Sequence, residues 1–390
     1  MNSSELKNTL ILALVFASRM LGLFMVLPVL ALYAAKIPGA TPFLIGVAAG
    51  IYGLTQALFQ LPCGVLSDYF GRRSIIVLGL GVFLIGSLIA AFSSSIWGLV
   101  IGRAIQGMGA VGSPILALVA DLTREQVRSR AMAIIGISIG FTFVLAFLVG
   151  PILDAKIGLS GIFLLTAFLS TIGILLLFLL GTIPKQSPLK LKDQFSVLFK
   201  DQQLWHLNAN IFILHAILTA CFLVFPAHIE TVTGLTSQEV WRFYLPVLAV
   251  SVLLVAPLLR FADEVKWQKM LMKTALIGLG ISCVMFIYST QAIPLYIFAS
   301  LFFLAFNFLE ASLPAMVSRM VPKTSKGSAL GVYSFSQFLG MFAGGIFGGC
   351  MLQWNGPWGI GFSCLLLTML GCILLAKEKG QEKWQEELIK

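Results

Sequence analysis

The chain has 390 residues, of which 58% are hydrophobic and 11% are charged, and its mean hydropathy is +0.97. A soluble globular protein has about 45–50% apolar and about 25% charged residues, so the composition excludes a soluble enzyme, a disordered chain and a secreted disulfide scaffold. The net charge of +10 does not indicate a nucleic-acid partner, because the basic residues lie in short gaps between apolar runs rather than on one solvated face. The sequence therefore predicts an integral membrane protein in contact with the lipid bilayer.

Twelve apolar stretches are long enough to cross a bilayer as α-helices, which takes about 20 residues each. We predict spans at approximately 9–34, 43–66, 74–93, 95–120, 131–153, 161–183, 206–230, 241–260, 270–289, 293–318, 328–352 and 356–376. The first stretch is longer than the apolar part of a cleaved signal peptide, which has about 7–15 residues, so we expect it to be the first helix. The predicted fold is an all-α polytopic membrane protein.

The longest break between these spans is polar and separates six helices from six. We expect an N-terminal bundle at 1–183, a cytoplasmic linker at 184–205, a C-terminal bundle at 206–376 and a short charged tail at 377–390. With the N-terminus inside, the internal gaps hold 21 of the 26 Lys and Arg residues and the external gaps hold 3. Cytoplasmic loops carry such an excess, so both termini are predicted to be cytoplasmic.

The two halves repeat at a nearly constant offset. Phe24–Pro28 (FMVLP) matches Phe222–Pro226 (FLVFP) 198 residues later, and Pro62 matches Pro257 195 residues later. Parallel repeats of six helices are the arrangement of major facilitator transporters, in which the substrate site lies near the midplane between the halves and access alternates.

A GxxxDxxGRR pattern follows the second predicted span, and we expect it to form the loop after that helix. It consists of Gly64, Asp68, Gly71, Arg72 and Arg73. Gly71 can adopt the backbone angles of a tight turn, and Asp68 can face the positive N-terminal end of a neighbouring helix. The pattern resembles the signature loop of the major facilitator superfamily.

The fourth and fifth spans carry two further patterns. The segment Arg103–Gly109 reads RxxQGxG, which resembles an intramembrane motif of the superfamily; its arginine and Gln106 share a helix face. Gly150–Pro151 resembles the core of the antiporter motif of drug exporters. Ala146 stands where that motif has a glycine, so this second resemblance is partial.

Other stretches in both halves resemble the YajR-like transporters, a bacterial branch of the drug:proton antiporter type. They are residues 19–30, 50–56, 121–126, 306–310 and 331–337. The resemblance implies a twelve-helix drug:proton antiporter of the bacterial inner membrane, here expected to lack the soluble domain that follows helix 12 in that branch. It also implies that Arg72 pairs with Asp121 and that Asp68 meets the start of helix 11 near Gly327–Ser328.

Few ionisable side chains lie well inside the predicted spans, where each charge costs about 2.5–3.5 kcal/mol. They are Arg19, Arg103 and Glu310, and the single histidine there is His215. Glu310 is the leading proton carrier because it is the one deep acidic residue, and Asn307 on the same face could orient it. The alternative is a structural tie, for instance to His215 or to a carbonyl at a helix end.

Other proton-coupling candidates are His215, Asp121 and Arg103. His215 could relay protons or serve as a neutral hydrogen-bonding residue. Arg103 could also be a counter-ion or a substrate contact, but bracing of the N-terminal bundle is slightly favoured for it. For Arg19 the sequence leaves the roles of counter-ion, substrate contact and brace open.

Candidate cavity residues are polar or aromatic side chains of the predicted helices. They are Arg19, Tyr52, Gln56, Gln60, Gln106, Phe141, Phe303, Asn307, Phe335 and Phe338. Tyr52, Gln56 and Gln60 recur at every fourth position and share one face, which either lines a pathway or joins neighbouring helices. The six cysteines show no metal-ligand spacing, so we expect small apolar fillers and no metal.

These features favour proton-coupled efflux of small amphipathic or apolar compounds by alternating access, with the proton as coupling ion and no other cofactor. The sequence contains no GxxxxGK[ST] loop, so ATP is not expected to drive transport directly. A proton-coupled importer or facilitator of a small polar metabolite is the alternative, and a non-transporting sensor is a third possibility. We expect no enzymatic activity, and one chain is expected to function as a monomer.

Overall fold

A computed structural model of the protein describes residues 1–181, 202–262, 265–321 and 326–377. These residues form α-helices and contain no β-strand. The helices are α1 (Ser3–Val26), α2 (Leu30–Ala34), α3 (Pro42–Phe70), α4 (Arg72–Phe92), α5 (Ile96–Met108), α6 (Gly112–Asp121), α7 (Glu125–Leu177), α8 (Gln202–Cys221), α9 (Phe225–Thr233), α10 (Trp241–Ala262), α11 (Val265–Tyr288), α12 (Ala292–Met320) and α13 (Lys326–Lys377). Most of the predicted linker and the predicted tail lie outside the described residues.

Ten helical stretches in the described ranges are long and apolar enough to cross a membrane. Two of them, α7 and α13, have 53 and 52 residues, and each is interrupted by one glycine with a positive φ. Gly158 has φ 67° and ψ 175°, and Gly356 has φ 65° and ψ −165°. This backbone region is essentially restricted to glycine, so each long helix consists of two successive crossings. Counted this way, the twelve predicted crossings of an all-α membrane protein are confirmed.

Three of the predicted spans are broken near their middle rather than continuous. The first consists of α1 and α2, the fourth of α5 and α6, and the seventh of α8 and α9. Pro28 lies in the first break, and Pro226 is the second residue of α9, just after the third break. Proline lacks the backbone N–H that continues a helix and clashes with the preceding turn, which accounts for these two interruptions.

The same order of elements occurs twice along the chain. A broken first helix, α1–α2, is matched by α8–α9, and the long broken helix α7 is matched by α13. Gly356 follows Gly158 by 198 residues, the same offset as that of the FMVLP and FLVFP segments. The structural repeat therefore agrees with the sequence repeat.

The chain divides into two compact units. The N-terminal unit is Met1–Leu189 with Thr236–Trp241, and the C-terminal unit is Lys190–Leu235 with Arg242–Lys390. Within the N-terminal unit α1 packs along α7, and α4 packs against α5 and α7. Within the C-terminal unit α8 packs along α13, and α11 packs against α12 and α13. Equivalent helices thus form the main contacts of each unit.

Glycines allow the closest helix contacts inside both units. A Cβ atom added to Gly107 on α5 would clash with the Thr55 side chain and the Tyr52 carbonyl on α3. A Cβ atom added to Gly344 on α13 would clash with the backbone of Ala216 on α8. Small residues let membrane helices approach in this way, so packing accounts for the first glycine of the RxxQGxG pattern.

Candidate functional site

Three polar side chains from three helices meet inside the C-terminal unit. They are His215 on α8, Glu310 on α12 and Gln337 on α13, and we call them the polar trio. Nε2 of Gln337 donates to Oε1 of Glu310 over 3.0 Å and lies 2.9 Å from Nε2 of His215. Oε2 of Glu310 lies 3.7 Å from the same histidine nitrogen and has no hydrogen-bond partner among the described residues. The tie between Glu310 and His215 is therefore mainly indirect, through Gln337.

One neutral tautomer of His215 fits both contacts of its ring. Nδ1 of its ring lies 3.3 Å from the backbone oxygen of Ile211, one turn earlier on α8. If Nδ1–H donates to that oxygen, Nε2 is left as the acceptor for the Gln337 amide. A proton added to Nε2 would remove this acceptor and create a donor facing Glu310. The trio can thus take up one proton, on the carboxylate or on the imidazole.

The members of the trio differ in how far they are exposed. The Glu310 side chain is 36% exposed and that of His215 is 7% exposed. The ring of Phe306 meets His215 edge-on, with 5.8 Å between ring centroids. Part of the Glu310 side chain is thus accessible, while its Oε2 atom and the neighbouring histidine are buried.

Asn307 does not orient Glu310 as the sequence suggested. Its Nδ2 atom donates to Oγ of Ser251 on α10 over 2.8 Å. Gln337 supplies the hydrogen bond to the carboxylate instead. Gln337 was not among the residues that sequence reasoning singled out, although a glutamine in the middle of an apolar span is itself a signal of a polar contact.

A second polar group lies inside the N-terminal unit. Nη2 of Arg19 donates to Oη of Tyr52 over 2.8 Å, to Oε1 of Gln56 over 2.6 Å and to the backbone oxygen of Gly109 over 3.3 Å. Nε2 of Gln56 donates to Oε1 of Gln60 over 2.7 Å. All four side chains are buried. The stripe on α3 therefore joins helices inside this unit, and Arg19 braces α1 against it.

Arg103 is held in the same unit by an amide and an aromatic ring. Its Nη1 atom donates to Oε1 of Gln106 over 3.0 Å, and Gln106 donates in turn to Oγ of Ser87 over 2.8 Å. Its Cζ atom lies 4.9 Å from the centroid of the Tyr52 ring, a cation–π contact. No carboxylate in the described ranges pairs with Arg103 or Arg19. These contacts favour the bracing role for Arg103.

The GxxxDxxGRR pattern is almost entirely helical, which corrects the predicted loop. The helix α3 continues to Phe70 and α4 begins at Arg72, so only Gly71 lies between them. Gly71 has φ 91° and ψ 138°, a conformation that an L side chain rarely adopts. The reversal between two long helices is thus made at one glycine, as the turn assignment for Gly71 predicted.

The two arginines after this glycine hold three helix ends together. Arg72 forms an ion pair with Asp68, its Nε atom lies 3.1 Å from Oδ2 of Asp121, and its Nη1 atom donates to Oγ of Ser67 over 2.6 Å. The pairing of Arg72 with Asp121 is therefore present. Nη2 of Arg73 donates to the backbone oxygen of Leu180 over 2.5 Å, just after the end of α7. Positive groups bind such terminal carbonyls favourably.

Two further predictions concerned Asp121, as a proton-coupling candidate, and Asp68, as a contact of helix 11. Asp121 lies at the end of α6 in the pair with Arg72 and not in the polar trio. The predicted contact of Asp68 with the start of helix 11 joins residues of different units and stays a prediction.

The aromatic cavity candidates fall into different environments. Phe303 is fully buried and packs against Phe222, Phe302 and Tyr244, so it belongs to the aromatic core of the C-terminal unit. Phe338 is also buried, Phe335 is half-buried, and Phe141 is exposed on the surface of α7.

Comparison with known proteins identifies the family. The sequence model described as Major Facilitator Superfamily matches residues 12–309 and 252–390. The inner membrane transport protein YajR of Escherichia coli is 43% identical over 358 residues, which cover 90% of this chain and 78% of YajR. The multidrug resistance protein MdtH of Aeromonas salmonicida is 26% identical, with 85% of this chain and 84% of MdtH covered. A solved D-xylose-proton symporter matches with a TM-score of 0.73 at 17% identity, covering 96% of this chain and 98% of its own, which shows a shared fold. The chain belongs to the major facilitator superfamily and is a polytopic membrane transporter.

Proposed function

We propose that this transporter is a proton-coupled exporter of small amphipathic or apolar compounds in a bacterial inner membrane. The observation that supports it most is the polar trio, in which Glu310 places one carboxylate, on a partly exposed side chain, within an apolar helical unit. The name of the MdtH relative, a multidrug resistance protein, supports the substrate class, and the name of YajR supports the membrane.

Proton uptake at Glu310 is the proposed coupling step. An ionised carboxylate among membrane helices is costly unless it is paired or hydrated, and Gln337 gives it one neutral hydrogen bond. Protonation removes that cost. The two protonation states of Glu310 therefore favour conformations that differ in how open the site is, and a gradient that changes the protonation state shifts the population. Each charge that crosses the membrane contributes about 2.3 kcal/mol per 100 mV.

The remaining parts of the proposal concern orientation and assembly. Both termini are proposed to be cytoplasmic, because 21 of the 26 basic residues fall in the gaps on that side. The transport cycle is proposed to be alternating access by a single chain, with the proton as its coupling ion.

The direction of coupling can be read from the sign of one signal. Inside-out vesicles containing the protein are acidified inside and then supplied with lipophilic cations, neutral drugs or sugars. Efflux in exchange for protons predicts that a substrate from the first two groups makes the lumen more alkaline. If a sugar or another polar compound is transported together with protons, the pH of the lumen changes in the opposite direction. That result would establish the importer instead. Vesicles without the protein, and vesicles with the gradient collapsed, serve as controls.

A further inference from the structure

Three cysteines of the C-terminal unit meet in its core, although they are far apart in the sequence. Cys221 ends α8, Cys283 lies on α11 and Cys364 lies on α13, and all three are fully buried. Sγ of Cys221 lies 3.2 Å from Sγ of Cys283 and 3.8 Å from Sγ of Cys364, and all three sulfur atoms lie within 4.8 Å of one another. A disulfide bond is about 2.05 Å long, so these are three free thiols.

The convergence of these thiols distinguishes them from the other cysteines. A lone buried cysteine commonly acts as a small apolar filler, which is what the sequence predicted for all six. Cys63, Cys350 and Cys372 are only partly buried, and they join no comparable group in the described part of the chain. The clustered thiols instead bring one soft ligand atom each from three different helices to one point.

We propose that Cys221, Cys283 and Cys364 form a binding site for one soft monovalent metal ion, Cu(I), with Ag(I) as its redox-inert analogue. Three sulfur atoms around a metal with bonds of about 2.3 Å lie about 4.0 Å apart in a trigonal plane, and small side-chain movements from the observed positions reach that spacing. Thiolate ligands select soft ions such as Cu(I) and also Zn(II). Structural Zn(II) takes four ligands, and no fourth His, Cys, Asp or Glu joins the group within the described ranges.

Binding at this site exchanges protons for one ion. Each thiol that coordinates the ion loses its proton to water and becomes a thiolate, and no electron is transferred. The positive charge of the ion offsets part of the negative charge of these thiolates, which matters because an unpaired charge in an apolar interior is very costly. Affinity at such a site rises with pH, because the ion displaces protons.

A cavity that borders Cys364 lies beside the cluster. The cavity has a volume of about 220 Å³ and lies between α8 and α13 of the same unit. Its wall includes Cys364 and Met351, together with the small residues Ala220, Gly344 and Gly348. A thioether such as that of Met351 is also a soft ligand. Its sulfur is a further soft donor in the cavity wall that also includes Cys364.

The site is tested on the full-length protein, purified in detergent and kept reduced. Cu(I) is titrated in competition with the chelator bicinchoninate. A variant with Cys63→Ala, Cys350→Ala and Cys372→Ala keeps only the clustered thiols and is expected to retain one Cu(I) per chain. X-ray absorption of that complex is expected to show three sulfur neighbours. The Cys364→Ala variant is expected to lose its copper to the chelator.

Melting temperatures show that the variants are folded and give a second signal. Ag(I) is expected to raise the melting temperature of the variant that keeps the cluster, since a ligand of the folded state stabilises it, but not that of Cys364→Ala. If Cys364→Ala does not fold, the proposal is tested by the number of sulfur neighbours of copper in the variant that keeps the three clustered cysteines. Loss of all copper to the chelator by the protein that keeps the cluster, or fewer than three sulfur neighbours, would overturn the proposal. These outcomes do not depend on proton coupling, so the transport proposal stands or fails separately.

Discussion

Nε2 of His215 lies 3.7 Å from Oε2 of Glu310, too far for a hydrogen bond between a neutral imidazole and a carboxylate. The Gln337 amide nitrogen contacts both residues and occupies the position between them. A proton added to either titratable side chain changes which of these contacts is favourable. Under the proposed function, the histidine has a hydrogen-bonding role and Glu310 is the group that gains and loses the proton.

Substitutions at His215 separate a hydrogen-bonding role from a titrating one. We expect His215→Gln to retain substrate-dependent proton flux in vesicles, because its side-chain oxygen can accept the Gln337 hydrogen bond. We expect His215→Leu to lower the flux about tenfold, since an unsatisfied buried donor costs about 1–3 kcal/mol. Equal loss of flux in both variants would instead assign the proton to the imidazole.

The contacts of Arg72, which follows the helix reversal at Gly71, give a prediction about stability and transport. Arg72→Gln removes contacts to Asp68, Asp121 and Ser67 together, so we expect it to destabilise the protein by on the order of 1–3 kcal/mol. Asp68→Asn leaves the contact with Asp121 in place. We expect this second variant to melt close to wild type but to transport more slowly. Thermal unfolding and flux are measured on the same preparations, and full transport by Asp68→Asn would contradict a switching role for this residue.

Packing at Gly107 predicts a large effect from one methyl group. Gly107→Ala introduces a clash with Thr55 and the Tyr52 backbone, and overpacking of this kind costs about 1–3 kcal/mol. Gly136→Ala on α7 is the matched control, because a Cβ atom there meets no atom within 4 Å. Melting temperatures in detergent are expected to fall for the first variant and to stay level or rise slightly for the second. Equal melting temperatures would show that α3 and α5 can separate without cost.

The two glycine breaks in the long helices predict a matched pair of effects. Gly158 and Gly356 have open space where a Cβ atom would lie but positive φ angles, so alanine at either position is penalised by backbone strain alone, about 1–3 kcal/mol. Gly278→Ala on α11, where a Cβ atom also meets no atom within 4 Å, is the control without a positive φ. Unfolding measurements are expected to show similar losses for both breaks. A loss at only one of them would contradict their equivalence in the repeat.

The number of crossings and the repeat could be predicted because both depend on local sequence. The length of each apolar run fixes a crossing, and the prolines recur at nearly constant offsets. The full extent of α3 could not be predicted in this way, because residues 67–70 are more polar than the span before them, yet they continue the helix to Gly71. Hydropathy alone does not register the breaks inside three spans, although Pro28 and Pro226 mark two of them in the sequence.

The contacts between helices that are distant in the chain could not be predicted from the sequence. Hydropathy does not tell which face of α13 meets α8 and α12, so Gln337 was not joined to Glu310. For the same reason, the sequence did not predict that Cys221, Cys283 and Cys364 lie close together. Arg124, 119 residues after Glu5, donates to both oxygens of that carboxylate at the N-terminus of α1, and no spacing rule in the sequence indicates such a pair.

The central claim is that Glu310 carries the coupled proton, and two transport modes of one variant test it most directly. In inside-out vesicles, Glu310→Gln is expected to exchange labelled for unlabelled substrate without a gradient, because that exchange needs no net proton movement. The same variant is expected to lose proton-driven accumulation, while the control Glu239→Gln keeps both activities. Proton-driven accumulation by Glu310→Gln at the wild-type level would contradict the account, since a glutamine cannot gain or lose the proton.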